Sequence, residues 1–342
     1  MACFWTALIL CIVAAIHNQV GVIEASIDIG VCYGTNGNNL PPAADVIGLY
    51  KKYGIGKIRL FEPNPATLEA LRGSQIAVAI GIRNDDLPNL AASQEATNSW
   101  FTTNIEPYLK DVLFSFISVG NEVLPGANGQ YIAPTMQNLQ TILNDRNLHG
   151  IKVTTVVHAA TLAASYPPSN GTFSAEVQAD ILKILQFLSA QGSPLMINVY
   201  PYFAYASDPV NVRLDYAQFT ATGPVVQDGS LSYSNLFDAI VDAFHWAMEK
   251  EGITNVDVAV SESGWPSAGN GNLTTPELAQ TYNKNFMAHV MSNGTPKRPK
   301  EYIEGFIFSM FNENLKPPGV EQNWGLFEPN MQPVYPVFPP SI

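Results

Sequence analysis

Two glutamates stand where reactive groups would gather. Glu122 follows the apolar run Phe114–Val119, within Val119-Gly-Asn-Glu-Val123. Glu262 follows the run Asp257–Ser261, within Ser261-Glu-Ser-Gly-Trp-Pro-Ser267. One carboxylic acid can protonate a departing glycosidic oxygen while a second carboxylate attacks or activates water. An opposed pair is therefore the minimum equipment for glycoside hydrolysis. A single glutamate at a strand end is usually a solvated loop residue. Two of them, with Asn121 before one and Trp265 after the other, favour a working pair. Flat rings suit the apolar faces of sugars, and Tyr200, Tyr202, Phe203, Trp265 and Trp324 could line a sugar groove. Trp265 and Tyr202 have the best case, being next to the proposed site positions. The histidines His149, His158, His245 and His289 show no metal spacing, and neither a metal nor a cofactor is expected.

Apolar runs must carry these groups. Ile29–Tyr33, Lys57–Leu60, Ile76–Ile80, Phe114–Val119, Lys152–Val157, Leu195–Tyr200, Asp257–Ser261 and Ile303–Phe308 read as strands. Most show no polar alternation, as expected of strands buried on both faces of a parallel sheet. Helical patterns lie between them. Ser234–Glu251 repeats its apolar residues with a 3.6 period, with Ser234 as N-cap, and Ala175–Gln191 does the same. Thr275-Pro276 opens another helix. This alternation predicts an α/β protein, a single (β/α)8 TIM barrel. A doubly wound open sheet is the alternative, but no G-x-G-x-x-G or P-loop follows the first strand. The long connection of about 201–233, rich in Tyr, Phe, Asp and Pro, is expected to form an extra subdomain after the sixth strand, on the substrate face. Active sites of such barrels lie at the C-terminal strand ends. Glu122 and Glu262, after the fourth and seventh strands, would then face each other across the mouth.

Composition narrows the partners. The 342 residues carry 17 Lys and Arg against 29 Asp and Glu, a net charge of −12. That is a poor match to nucleic acid, which needs clustered cations. Three cysteines exclude a disulfide scaffold and a Cys-ligated zinc site. Residues 4–16 are continuously apolar but too short to span a bilayer. They read as a secretory signal occupying residues 1–26, with the cut anywhere from 25 to 28, ahead of a domain at 27–342. Its removal would leave Cys32 as the only thiol, and that residue reads as a small buried apolar side chain. The sequons at Asn170, Asn272 and Asn293 fit secretion as glycosylation candidates. The C-terminus carries no long apolar tail of the kind a lipid anchor requires. The expectation is a monomer in the extracellular space or apoplast, with the vacuole as the alternative, and with no membrane anchor.

Five stretches carry a family resemblance. Ile29-Gly-Val-Cys-Tyr-Gly34, Val119-Gly-Asn-Glu-Val123, Asn198-Val-Tyr-Pro-Tyr-Phe203, Ser261–Ser267 and Asn323-Trp-Gly-Leu-Phe327 resemble the plant β-1,3-glucanases of glycoside hydrolase family 17. The resemblance runs in order along nearly the whole chain after the leader. It implies a (β/α)8 barrel and hydrolysis of β-1,3-glucan, or of mixed-linkage β-glucan, with retention. It also implies Glu122 as proton donor, Glu262 as nucleophile and Asn121 as a ligand for the sugar 2-OH. Glu313, Lys316 and Glu321 would form a charged cluster near the nucleophile, with Tyr33 beside it. A retaining pair stands about 5–5.5 Å apart, and the acid would be kept protonated by burial and by its anionic neighbour. Lys316 would keep Glu262 ionised. Two positions depart from the family pattern: Phe61-Glu62 stands where Tyr-Asp is common, and Asn312 where Asp is common. They bear on substrate preference. Transglycosylation, or a glucan-binding barrel without catalysis, are the other readings of the same chain.

Overall fold

The computed structural model describes residues 27–292 and 294–338. The proposed leader, Cys3, Cys11 and the sequon residue Asn293 lie outside the described residues. Eight parallel strands close a barrel: β1 (Ile27–Tyr33), β2 (Ile55–Leu60), β3 (Ala77–Ile82), β4 (Leu113–Asn121), β5 (Lys152–His158), β6 (Leu195–Asn198), β7 (Val258–Ser263) and β8 (Gly305–Ile307). Each pairs with its neighbour in sequence, and β8 returns to β1 with Gly30 opposite Phe306 and Val31 opposite Ile307. The expected runs and the observed strands agree within a few residues. Two strands are shorter than their runs: β6, which ends at Asn198 before Val199 and Tyr200, and β8. At β6 the chain turns directly into the helix Pro201–Ser207.

Helix ends follow local chemistry. The helix Leu236–Lys250 is capped by Asn235, whose side chain accepts from the Asp238 N–H, not by Ser234 as the pattern suggested. Asn235 and Ser234 are both good N-caps. Burial of Asn235 among the packing residues decides between them. Thr275 caps the helix Pro276–Val290 as expected. The helix Gln178–Gln191 stops at Gly192, which takes a left-handed conformation.

Two excursions rise above the mouth. After β5 comes a hairpin of Leu162–Ala164 with Thr172–Phe173. After β6 the chain from 201 to 233 forms the helices Pro201–Ser207 and Leu214–Ala217, then a hairpin of Val226–Asp228 with Leu231–Tyr233. Ser169 ties them together, its N–H and Oγ both donating to Asp228 at 2.7 and 2.6 Å. Tyr216, Tyr233 and Ala239 form a small second core beneath the later hairpin.

The interior leaves no slack at β1. A Cβ on Gly30 would lie 2.1 Å from the Phe306 ring, and that ring is itself buried. Gly30→Ala is expected to cost about 1–3 kcal/mol, read as a fall of several degrees in thermal unfolding. His245 gives a pH-dependent test. It is 3 % exposed, and its Nδ1 has no hydrogen-bond partner. Burial, with Arg298 and Lys297 nearby, pushes its pKa down to about 3. The folded chain therefore keeps the ring neutral where the unfolded chain protonates it. The stability this contributes is complete above the ordinary value of about 6.5 and is lost as pH falls toward 3. His245→Leu should flatten that acid limb in denaturant titrations run from pH 7 to pH 3. An unchanged slope would refute the assignment.

Candidate active site

The network starts from a charge in an unusual place. Arg59 sits in β2 between Ile58 and Leu60 and is 1 % exposed. Its guanidinium crosses the barrel interior. Nη1 donates to Glu262 Oε1 at 2.5 Å, and Nη2 donates to Asn121 Oδ1 at 2.7 Å. Nη1 also lies 3.3 Å from the Ser261 carbonyl. Burial opposes the Arg59 charge, but the facing Glu262 carboxylate outweighs it and its pKa is held above the ordinary value. One side chain thus joins β2, β4 and β7, strands that are not neighbours.

Glu262 is fixed from the other side by Tyr200, whose hydroxyl donates to Oε2 at 2.6 Å. Burial, and then the Glu262 charge, raise the Tyr200 pKa well above its usual value, so the phenol keeps the proton it donates. Glu122 is reached through Asn198 at the end of β6. Asn198 Nδ2 donates to Glu122 Oε1 at 2.7 Å, while its Oδ1 accepts from Ser261 Oγ at 2.7 Å. The Glu122 backbone has φ of 53°, a region costing a non-glycine residue about 1–3 kcal/mol. It is held there by its N–H donating to the Val156 carbonyl at 2.9 Å. Asn84 clasps the preceding peptide, accepting from the Asn121 N–H at 2.8 Å and donating to its carbonyl at 2.9 Å.

Two cavities meet at this centre. Glu262 and Phe308 line both. The narrower, of about 270 Å³, is walled by Tyr33, Gly34, Phe61, Asn121, Glu313 and Lys316 among others. The wider, of about 1090 Å³, includes Glu122, Asn198, Tyr200, Phe203, Glu321 and Trp324. Together they make a groove across the barrel mouth with Glu262 in the middle.

Several expected residues come together and others do not. Glu313 is buried, accepts from the Asn36 N–H at 2.7 Å and pairs with Lys316 at 3.0 Å. A Cβ on Gly34 would stand 2.5 Å from the Glu313 carboxylate, so the close approach requires glycine there. The Lys316 ammonium also lies 4.3 Å from the centre of the Phe308 ring. Glu321 does not join this pair; it lines the wider cavity instead. Lys316 was expected to charge-compensate Glu262, yet its ion-pair partner is Glu313, and Arg59 takes that role. Trp265 and Tyr202 were the leading sugar-facing aromatics, but they are 0 % and 2 % exposed and line neither cavity. The Trp265 indole N–H donates to the Leu273 carbonyl at 3.0 Å, and the Tyr202 hydroxyl accepts from Asn270 at 3.1 Å. Their rings pack edge to face and support Trp324, Phe203 and Tyr200. Phe203 is 47 % exposed within the wider cavity. Glu122 is exposed to the groove, so the burial expected of the acid is not supplied by the protein alone. Cys32 is buried and donates to the Ser261 carbonyl at 3.2 Å. Burial pushes its thiol pKa far up, as suits a packing residue.

Sequence reasoning missed Arg59 and passed over Asn198. The signal for Arg59 was a cation set between Ile58 and Leu60, two residues after Lys57 in the same strand. The two departures from the family pattern also find places. The Phe61 ring lies 4.4 Å from the Arg59 guanidinium, and Glu62 pairs with Arg83 at 3.1 Å. Asn312 holds the later loop, bonding Gly325 N–H at 2.9 Å and Glu328 at 3.1 Å. Arg59→Lys keeps the charge but lacks the fork needed to reach Glu262 and Asn121 at once. It is expected to cut glucan hydrolysis by about 100-fold or more, the loss that a misplacement of roughly 1 Å at a reacting group brings. Reducing-sugar assay and circular dichroism on the same sample check this.

Comparison with known proteins gives the family. The family model described as glycosyl hydrolases family 17 matches residues 29–338. A probable glucan endo-1,3-β-glucosidase of Arabidopsis thaliana is 53% identical over 332 residues, covering 96% of each chain. A lichenase of Hordeum vulgare is 50% identical, covering 90% of this chain and 97% of its own. The solved structure of a β-1,3-glucanase and pollen allergen of Cryptomeria japonica superposes with a TM-score of 0.86 at 50% identity, covering 90% and 98%. On sequence and fold alike, the chain belongs to the glycosyl hydrolases of family 17.

Proposed function

We propose that this protein is an endo-acting hydrolase of (1→3)-β-D-glucosidic linkages in β-1,3-glucans, working by double displacement with retention. The observation that carries the reading is the coupling of Glu122 and Glu262 through Arg59 and Asn198 at the point where the two cavities meet. A groove extending to both sides of the reacting centre accepts the interior of a polymer, which supports endo-action.

Glu122 protonates the glycosidic oxygen while Glu262 attacks the anomeric carbon, giving a glycosyl ester. Glu122, now ionised, takes a proton from water, which releases the sugar with its configuration kept. Arg59 and Tyr200 occupy both oxygens of Glu262 and hold it aimed. The acid lines only the wider cavity, so the departing part of the chain lies there and the retained part lies in the narrower one. Since Arg59 takes the Asn121 carbonyl oxygen, the Asn121 amide is left to donate to the sugar 2-OH. Tyr33, Glu313 and Lys316 contact the retained part; Tyr200, Phe203, Trp324 and Glu321 flank the reacting and departing sugars. Bound glucan completes the burial of Glu122. No cofactor takes part in these steps.

We also assign residues 1–26 to a leader removed during export, with action in the extracellular space. Asn170 and Asn272 are exposed and serve as glycan acceptors.

The barley relative named a lichenase supports a second reading, in which mixed-linkage glucan is cut as well. Laminarin and barley β-glucan assayed side by side separate the two; a faster rate on barley β-glucan would overturn the primary substrate. Glu262→Gln is expected to lower turnover by roughly 1,000-fold or more, with the fold retained by circular dichroism but a lower unfolding midpoint, since Arg59 loses its buried partner. NMR of the first-formed anomer should show the β form, and initial α-anomer would exclude double displacement.

A further inference from the structure

The wider cavity has a chemistry that a glucan alone does not explain. Where the 201–233 excursion meets the helix Leu236–Lys250, its wall is formed by Val212, Val225, Val226, Leu236 and Ile240, with Tyr166 also lining it. The aliphatic side chains are half-buried and Tyr166 is 73 % exposed. Glucose carries hydroxyls around its whole edge, and each hydroxyl that leaves water needs a partner. Two of the polar side chains along this wall are engaged within their own loop. Arg213 pairs with Asp215 in its own loop. Asn211 is bound to Asp208 through its N–H at 3.1 Å and its side chain at 2.8 Å. This apolar wall is continuous with the cavity that holds Glu122, so its occupant is attached to the group that departs from, or is added to, the anomeric carbon.

Resting on the hydrolase reading above, we infer that the wide arm of the groove takes β-glucosides bearing an apolar aglycone. They act as leaving groups in cleavage and as acceptors in transfer. In transfer, the bond from the anomeric carbon to Glu262 breaks and Glu262 departs as a carboxylate. A sugar hydroxyl of the alkyl glucoside forms the new bond, and its proton passes to Glu122. The reaction differs from hydrolysis only in replacing water by the glucoside hydroxyl, and the alkyl chain points along the apolar wall.

The test uses the full protein with laminarin as donor and methyl or octyl β-D-glucoside as acceptor, the latter below its micelle-forming concentration. Mass spectrometry counts transfer products, and reducing-sugar release reports hydrolysis in the same tubes. Each buried methylene improves half-saturation about fourfold. With about two of the extra methylenes buried against this half-open wall, octyl glucoside should saturate at a concentration roughly tenfold below methyl glucoside. Val226→Asn and Ile240→Asn should each shrink that ratio to about threefold or less. Equal half-saturation of the two acceptors by the unaltered enzyme, with laminarin cleaved normally, would overturn the inference while leaving the hydrolase standing. So would a ratio untouched in both folded variants. Failure to cleave laminarin would instead overturn the hydrolase reading and this inference with it.

Discussion

A guanidinium and a carboxylate buried together inside a closed barrel organise this molecule. Removing either ion from water costs several kcal/mol, and a buried pair seldom repays that in stability. Here the Arg59–Glu262 contact places Glu262 with one oxygen on Arg59 and the other on Tyr200. The same guanidinium reaches Asn121, next to the second carboxylate. Three strands that never pair along their edges are thus joined through their side chains. The arrangement exists only when the barrel is closed, since an open sheet would leave β2 and β7 far apart.

Around this contact the walls divide the labour. On one side Gly34 lets Glu313 come close, and Lys316 neutralises it, so the narrow arm presents charge that is already paired. On the other side buried Trp265 and Tyr202 form a base beneath Trp324 and Phe203. Those rings in turn meet Tyr200, which holds Glu262. An aromatic buried beneath the groove can therefore still govern the Glu262 carboxylate, through the rings packed edge to face upon it. Edge-to-face contacts favour one mutual orientation over others, which suits a side chain that must aim a hydroxyl.

Legibility in the sequence followed burial. The barrel strands were readable because both faces are covered, which leaves unbroken apolar runs such as Ala77–Ile82. Glu122 and Glu262 stood out because each interrupts the end of such a run. The family motifs then added Tyr33, Glu313 and Lys316, which the structure brings around the narrow arm. Arg59 was passed over because it shares its strand with Lys57, and in sequence neither cation shows that Lys57 pairs with Asp28 and Glu304 while Arg59 reaches Glu262. Trp265 and Tyr202 were misjudged because nearness in sequence to a site residue does not say which way a ring points. Val199 and Tyr200 continue an apolar run in sequence, yet the strand ends at Asn198 and Pro201 starts a helix.

Residue type and order were enough to determine the eight-fold alternation, the two carboxylates and the family. Those depend on local hydrophobic pattern and on short motifs, which are properties of neighbouring residues. Only the tertiary structure decided which charge compensates which carboxylate, which aromatics face the groove and which support it, and how the apolar arm is walled. Each of those is a contact between residues tens to hundreds of positions apart. Its energy depends on burial and distance, and neither is defined until the barrel has closed.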